Sequence, residues 1–389
     1  MASAPFGCSS KESAPSNPGG DGGAGGAGPG KAASNFANIG PLGPADANGI
    51  RVAEGFTSRV VARYNEAPVD TSTYLWHGAP DGGAVFPTAD EGWIYVSNSE
   101  SVPGGVGALK FAPDGTVVDA YRILEGSIIN CAGGPTPWGT WLSCEEVDKG
   151  RVFECDPAGG GPGIDRPTLG RFRHEAAAVD PVNHHVYLSE DEGDGRFYRY
   201  VPDGLTPEGF ADLTKGGLEV AQVATDGAVT WLPLPDPLAA TTATRLQVAE
   251  STVFRGGEGL FYHDGVIYLT TKGDNKVWAY DIASRKIRTI YDRATAADPI
   301  LSGVDNVVVS CCGDVLVAED GGDMQIIAIL PDGSVKPIVQ IEGQDNSEIT
   351  GPAFSPKGDR LYFSSERAFT TGLIDGGATY EVSGPFIVT

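Results

Sequence analysis

The segment Asn130 to Glu146 reads NCAGGPTPWGTWLSCEE and ends on a thiol followed by two carboxylates, Cys144, Glu145 and Glu146. A thiolate set among carboxylates is a ligand set for a transition metal such as iron or zinc, because calcium takes hard oxygen donors and does not need sulfur. A lone buried cysteine is otherwise a small apolar side chain. Cys131 stands thirteen positions before Cys144. It is a candidate disulfide partner, as is Cys155, and its role stays open at this level.

The same ending recurs along the chain. A Gly or Asp turn leads into a short β-branched and aromatic strand, which closes on Ser or Thr and then an acid. The copies are GWIYVSNSE to Glu100, GTWLSCEE to Glu145, HHVYLSED to Glu190 and Asp191, GVIYLTTKGD around Thr271, GDVLVAED to Glu319 and Asp320, and GDRLYFSSE to Glu366. Between them lie Glu175 in GRFRHEAAAVD, Glu258 in FRGGEGLFYHDG and Asp305 in GVDNVVV. Taken singly, a strand-end acid is a turn residue in water. Taken as a set in one phase, these acids converge and repel unless cations sit among them. The expected cage is Glu100, Cys144, Glu145, Glu175, Glu190, Asp191, Glu258, Glu319 and Asp320. His174 is expected either to orient Glu175, to bind metal, or to be a hydrogen-bonded structural histidine.

The spacing of these endings identifies the elements that position them. From Glu100 the intervals are 45, 45, 81, 48 and 47 residues. A period in the mid-forties with four strands per unit is that of a β-propeller, whose strand ends open on one face around one axis. The long interval holds TPEGFADLTKGGLEV and WLPLPDPLAA and reads as an insertion near 203–250, giving six blades. A seventh blade hidden there is the alternative. The expected fold is therefore all-β, a single six-bladed propeller over 46–389 behind a disordered Gly/Ser/Pro-rich tether at 1–45. Order is expected from near Ile50, where IRVAEGFTSRVVARY alternates like a strand pair turning at Gly55. The C-terminal TYEVSGPFIVT is expected to pair with early strands and close the ring.

Composition narrows the partners. Lys+Arg 27 against Asp+Glu 51 leaves a net charge of −24, which disfavours nucleic acid, since a phosphate backbone needs a basic face. The 6 cysteines are too scattered for a disulfide scaffold. No apolar run approaches the roughly 20 residues that span a bilayer. The chain contains no Gly-X-Ser-X-Gly elbow, Walker loop or His-Glu-X-X-His helix. Cys8, in Cys-Ser-Ser ahead of a Ser/Pro/Gly-rich stretch, looks like the lipidated start of a mature bacterial lipoprotein. A monomer, exported to a periplasmic, cell-surface or extracellular location, is the expectation.

With these residues in place, CAGGPTPWGTWLSCEE resembles the PhoX-type alkaline phosphatases, in which a Thr-Pro-Trp-Gly-Thr turn leads into a strand ending Cys-Glu-Glu. LWHGAPDGGAVFP, GRFRHEAAAVD, FYRYVP, VDNVVV and GPAFSPKGDRLYF resemble further segments of that family. The resemblance implies a six-bladed propeller phosphomonoesterase, exported from bacteria, acting on small-molecule phosphate esters at an iron and calcium cluster. It implies that Cys144 bridges iron and that Glu175 and Glu258 are ligands. Arg255 and Lys272 are the candidates for holding the phosphate, although Arg255 stands three residues before Glu258 where the family places its arginine two before. The rival readings are a calcium-dependent lactonase of the gluconolactonase type and a non-catalytic, calcium-plugged binding propeller.

Overall fold

The computed structural model describes residues 33–159, 161–369 and 376–388. Six antiparallel sheets follow one another along the chain and close into a six-bladed propeller. Blade 1 begins with Pro80–Pro87 and Trp93–Ser99, blade 2 with Asn130–Pro135 and Trp141–Glu145, blade 3 with His174–Val179 and Val186–Glu190. Blade 4 begins with Gly257–His263 and Val266–Thr271, blade 5 with Val304–Val309 and Val315–Glu319, blade 6 with Ile349–Phe354 and Arg360–Ser365. In each blade the first of these strands packs against its counterparts in the neighbouring blades and is the innermost. The repeating strands that set the period, such as Trp141–Glu145, are the second from the axis.

Each interface between blades has its own apolar core. Val96, Ile123, Trp141 and Phe153 join blades 1 and 2, and Leu142, Cys144, Leu188 and Tyr198 join blades 2 and 3. Tyr187, Phe197, Leu269 and Tyr280 fill the next interface, and Val277, Val304 and Ile327 the one after it. Phe36, Ile326, Phe363 and Tyr380 lie between blades 5 and 6, and Trp76, Trp93, Tyr95 and Tyr362 between blades 6 and 1. The second strands are buried on both faces because they pack both neighbours, which is why they read as continuous β-branched and aromatic runs.

The inner strands follow another rule. A Cβ at Gly134 would lie 1.7 Å from the carbonyl oxygen of Ala177, and one at Gly82 would lie 2.5 Å from the Cα of Ala132. Backbones of adjacent blades touch there, so only glycine and alanine fit, as in Gly82-Gly83, Ala132-Gly133-Gly134 and Ala176-Ala177-Ala178.

The ring closes where Thr57–Arg63 pairs with the C-terminal strand Ala378–Ser383 as the outer strand of blade 6, as expected. IRVAEGFTSRVVARY is not a hairpin, however. Ile50–Arg51 adds to the outer edge of blade 5 while Thr57–Arg63 joins blade 6, because the two halves bury against different interfaces. Order also begins before residue 45: Ala33–Ser34 pairs with Ile387–Val388, and Phe36 is fully buried against Phe354 and Phe386. Cys8 lies outside the described residues. The long interval holds the fourth strand of blade 3, Gly216–Val223, a fifth strand, Val229–Pro233, and then an irregular segment with one 3-10 turn at Thr244–Leu246.

Candidate metal centre

Five of the six inner strands carry a ligand-type residue at their second position: Asp81, Cys131, Glu175, Glu258 and Asp305. The sixth has Thr350 there, with Glu348 immediately ahead of the strand. In each of the five the ladder to the second strand slips across this residue, as between Asn130 and Gly133 or between Val304 and Val307. A bulge bends the strand and re-aims one side chain. Repeated around the axis, it collects these side chains in one cup.

The bulged residues are tied from the blade before. Asn98 donates its amide N–H groups to the carbonyls of Cys131 and Ala132 at 2.8 and 2.7 Å, Ser189 Oγ donates to the carbonyl of Glu258 at 2.5 Å, and Thr270 Oγ1 donates to that of Asp305. In the endings of blades 3 and 4 the Ser or Thr is therefore an inter-blade clamp.

A second ring stands one residue beyond the end of each second strand: Glu100, Glu146, Asp191, Lys272, Asp320 and Glu366. The two rings combine into five groups of three, each with its ligand atoms within 4.8 Å of one another. They are Asp81/Glu100/Cys131, Cys131/Glu146/Glu175, Glu175/Glu258/Asp305, Asp305/Asp320/Glu348 and Glu100/Glu348/Glu366. Each group shares one residue with the next, so the five close into a circle. Cys131 is the shared residue between the two groups that contain sulfur, and the other three groups offer oxygen alone.

Only three cations reach these acids among the described residues. Lys272 Nζ lies 3.0 Å from Glu258, 3.2 Å from Asp320 and 3.8 Å from Asp305. Arg173 makes two bonds to one oxygen of Glu146, at 2.8 and 2.7 Å. Arg367 reaches Glu348 at 3.0 Å and Glu366 at 2.6 Å. Against nine carboxylates and a thiol, three cations leave a large surplus of negative charge, which ions or protons must cancel. Burial, reinforced by neighbouring acids, drives Asp81, Glu175, Glu258 and Asp305 well above the carboxylate range. Burial pushes Glu146 up to about 9, with Glu100 adding to the push and Arg173 opposing it. Burial likewise raises the Cys131 thiol, with Asp81 and Glu175 beside it. Glu348 goes the other way: burial raises it, but hydrogen bonding with Glu366 and the charge of Arg367 outweigh that.

These residues fit bound metal. Cys131 Sγ stands 3.0 Å from Glu175 Oε1, and the second oxygen of that carboxylate is buried without a partner. A buried, unpaired carboxylate oxygen is costly, and a cation in the cup removes the cost.

Of the residues expected from the sequence, Glu100, Glu175, Glu258 and Asp320 come together here, joined by Asp305 and Glu366. Asp191 stands at the mouth, close enough to raise Glu146 and Glu258, yet outside the five groups. Cys144 does not reach the cup. It is fully buried with Leu142, Val152 and Leu188, because it lies two residues short of the second ring and points sideways into the interface between blades. Glu145, Glu190 and Glu319 are turn ties instead of ligands. Each accepts the backbone N–H of the residue six positions on, that of Arg151, Arg196 or Gln325. Glu145 is further bound by Arg151 at 2.7 Å and Glu190 by Tyr198 at 2.7 Å. His174 stacks on Phe172 with ring centroids 3.6 Å apart, meets the carbonyl of Gly170 at 3.2 Å, and is the structural histidine. Arg255 is exposed at the rim, its carbonyl holding the N–H of Gly273 at 3.0 Å. Asp81, Cys131, Glu146 and Glu348 are the ligand-type residues the sequence reading did not include. The available signal was an acid or thiol standing one or two residues before a Gly/Ala pair, as in PDGG and NCAGG.

The family described as alkaline phosphatase PhoX matches residues 103–154 and 148–281, from blade 1 to the third strand of blade 4. The structure of Pseudomonas fluorescens PhoX in complex with vanadate, a transition state analogue, superposes with a TM-score of 0.71 at 16% identity, covering 89% of this chain and 97% of that one. A Bacteroides thetaiotaomicron protein of unknown function gives 0.52 at 10% identity, over 88% of this chain and 84% of its own. A gluconolactonase from Xanthomonas campestris gives 0.48 at 16% identity, over 89% and 98%. No curated protein matches the chain.

Proposed function

We infer that the chain is a phosphoric monoester hydrolase of the PhoX alkaline phosphatase type, working at a metal cluster held in the cup. The observation that carries this reading is the closed circle of five groups with Cys131 shared between two of them. Sulfur beside carboxylates suits iron, so Asp81, Glu100, Cys131, Glu146 and Glu175 are assigned to iron. The groups built from oxygen alone, around Glu258, Asp305, Asp320, Glu348 and Glu366, are assigned to calcium. In this reading Cys131, instead of Cys144, would supply the thiolate ligand. Bound there, metal ions would draw off the negative charge that develops on the phosphoryl oxygens.

The chain's own residues do the rest. Arg173, Lys272 and Arg367 neutralise the cup's inner wall and present donors to the three phosphoryl oxygens, while Arg255 at the rim meets the incoming anion. His174 and His77 are held away from the cup and the Thr350 hydroxyl donates to the carbonyl of Pro80 at 2.7 Å, so with Cys131 taken as a ligand the nucleophile is assigned to water. Water adds to phosphorus and the ester P–O bond breaks. Its electron pair goes to the alcohol oxygen, which takes a proton. A thiol in the cup wall gives a calcium-only lactonase or a structural calcium plug little support.

The test uses protein purified without chelator. Elemental analysis should find iron and calcium, and the visible spectrum should show a thiolate charge-transfer band. p-Nitrophenyl phosphate should be hydrolysed, with vanadate inhibiting. Iron- and calcium-loaded protein that does not turn over p-nitrophenyl phosphate would overturn the reading. Export with a lipid on Cys8 completes the proposal, and the mass of the N-terminal peptide from membrane-purified protein decides it.

A further inference from the structure

We propose that a cavity beside Arg367 is a subsite for the neutral sugar portion of a sugar phosphate monoester; the proposal rests on the phosphatase reading above. The cavity has a volume of about 360 Å³ and lies between the segment 47–49 and the segment 342–347, with Arg367 and Phe369 on its wall. Arg367 is common to both sites. Its guanidinium holds Glu348 and Glu366 of the cup, and its backbone N–H donates to Ser347 Oγ at 2.8 Å on the cavity wall. Arg367 thus links the acids of the cup to the wall of this cavity.

The lining has the chemistry of sugar recognition. Phe369 is 56% exposed, with the Arg63 guanidinium 4.1 Å from its ring centroid, so one face is backed and the ring is held as a platform. An aromatic face packs the C–H face of a sugar ring. Gln344 stands on the wall, its amide N–H held by the Tyr380 hydroxyl at 3.1 Å. Asn48 and Asn346 add further carboxamides. A carboxamide both donates and accepts, which matches a hydroxyl that does the same. Glu342 and Asp345 on the same wall accept from hydroxyls and repel a second anionic group. The volume is at the small end for ligand sites and suits one monosaccharide better than a nucleotide.

The test compares glucose 6-phosphate with ethyl phosphate, a primary alkyl ester without hydroxyl groups, by phosphate release from the metal-loaded enzyme. The wild type should show a lower KM for glucose 6-phosphate by about tenfold, with similar kcat. Phe369→Ala and Asn346→Leu, neither of which touches the cup, should each raise the KM for glucose 6-phosphate by roughly five- to tenfold. They should leave ethyl phosphate within about twofold. Saturation-transfer NMR with glucose alone should show contact in the wild type that is lost in Phe369→Ala. Equal KM values for the two esters in the wild type, or variants that shift both alike or neither, overturn the subsite while leaving the phosphatase standing. Failure to hydrolyse p-nitrophenyl phosphate removes both.

Discussion

Cys131 and Cys144 sit on neighbouring strands of the same blade, yet one opens on carboxylates and the other on leucine and valine. That difference is directly testable. Cys131→Ala should abolish the charge-transfer band and lower the bound iron, because it removes the atom shared by two ligand groups. Cys144→Ala should keep the band and the iron and cost about 1 kcal/mol of stability through a small core void. The reverse pattern in spectra and metal content would return the ligand to Cys144. A second residue-scale prediction concerns His77, which is 5% exposed between the Tyr74 hydroxyl at 2.9 Å and Ser97 Oγ at 3.3 Å. Burial, with Arg122 adding to it, lowers its pKa to about 3. The folded protein thus refuses a proton that the unfolded chain accepts near pH 6.5. The stability it contributes is complete above about pH 6.5 and is lost as pH falls towards 3. Thermal melts should show the wild type losing Tm more steeply than His77→Gln between pH 6.5 and 4.5. Parallel curves would count against a neutral, buried His77.

At the scale of elements, the period of the second strands was legible because burial between two blades demands an unbroken β-branched and aromatic run. The inner strands were not legible in the same way. PDGGAVFP, NCAGGP, HEAAAV and GEGLFYH share no propensity pattern, since what they have in common is backbone proximity, which selects small residues without a fixed spacing. In blade 2 the conspicuous strand is the second from the axis, so Cys144 lies one strand farther out than Cys131, the thiol that faces the carboxylates. Glu175, Glu258 and Asp305 were still picked out, because an acid inside an otherwise apolar strand stands out without any periodicity. Glu145, Glu190 and Glu319 could not be separated from Glu146, Asp191 and Asp320 by type, only by the side each presents at the end of its strand. The close approach makes its own prediction. Gly134→Ala should cost about 3 kcal/mol or prevent folding, because its Cβ would meet a backbone carbonyl that no side-chain rotation can move. Gly217→Ala, on an outer strand with open space around it, should be within about 1 kcal/mol of neutral. Similar denaturant midpoints for the two variants would refute the packing argument.

The whole molecule is built so that six apolar interfaces hold together a centre that repels itself. Ring closure by Thr57–Arg63 against Ala378–Ser383 is what resists that repulsion. Arg59 and Arg360 both bind Glu381 across the closing sheet, at 2.7 and 2.6 Å. The consequence is a pH dependence set by the metal. In metal-free protein every cup carboxylate but Glu348 carries a raised pKa, Glu146 as far as about 9, so the folded state binds protons that the unfolded chain has already released. The stabilisation from those protons is present below the ordinary carboxylate range and is lost as pH rises through the raised values. Lys272, raised by the acids around it despite its burial, stays charged throughout this window and offsets only part of the charge. Chelated protein should therefore melt at progressively lower temperature from pH 5 to pH 9. Bound cations replace the protons, so protein reloaded with iron and calcium should show a flat or rising profile over the same range. Calorimetric scans of the two forms at matched ionic strength decide the matter. A chelated profile as flat as the loaded one would mean that the cup acids are not held apart by ions, and with it the metal-centre reading would fall.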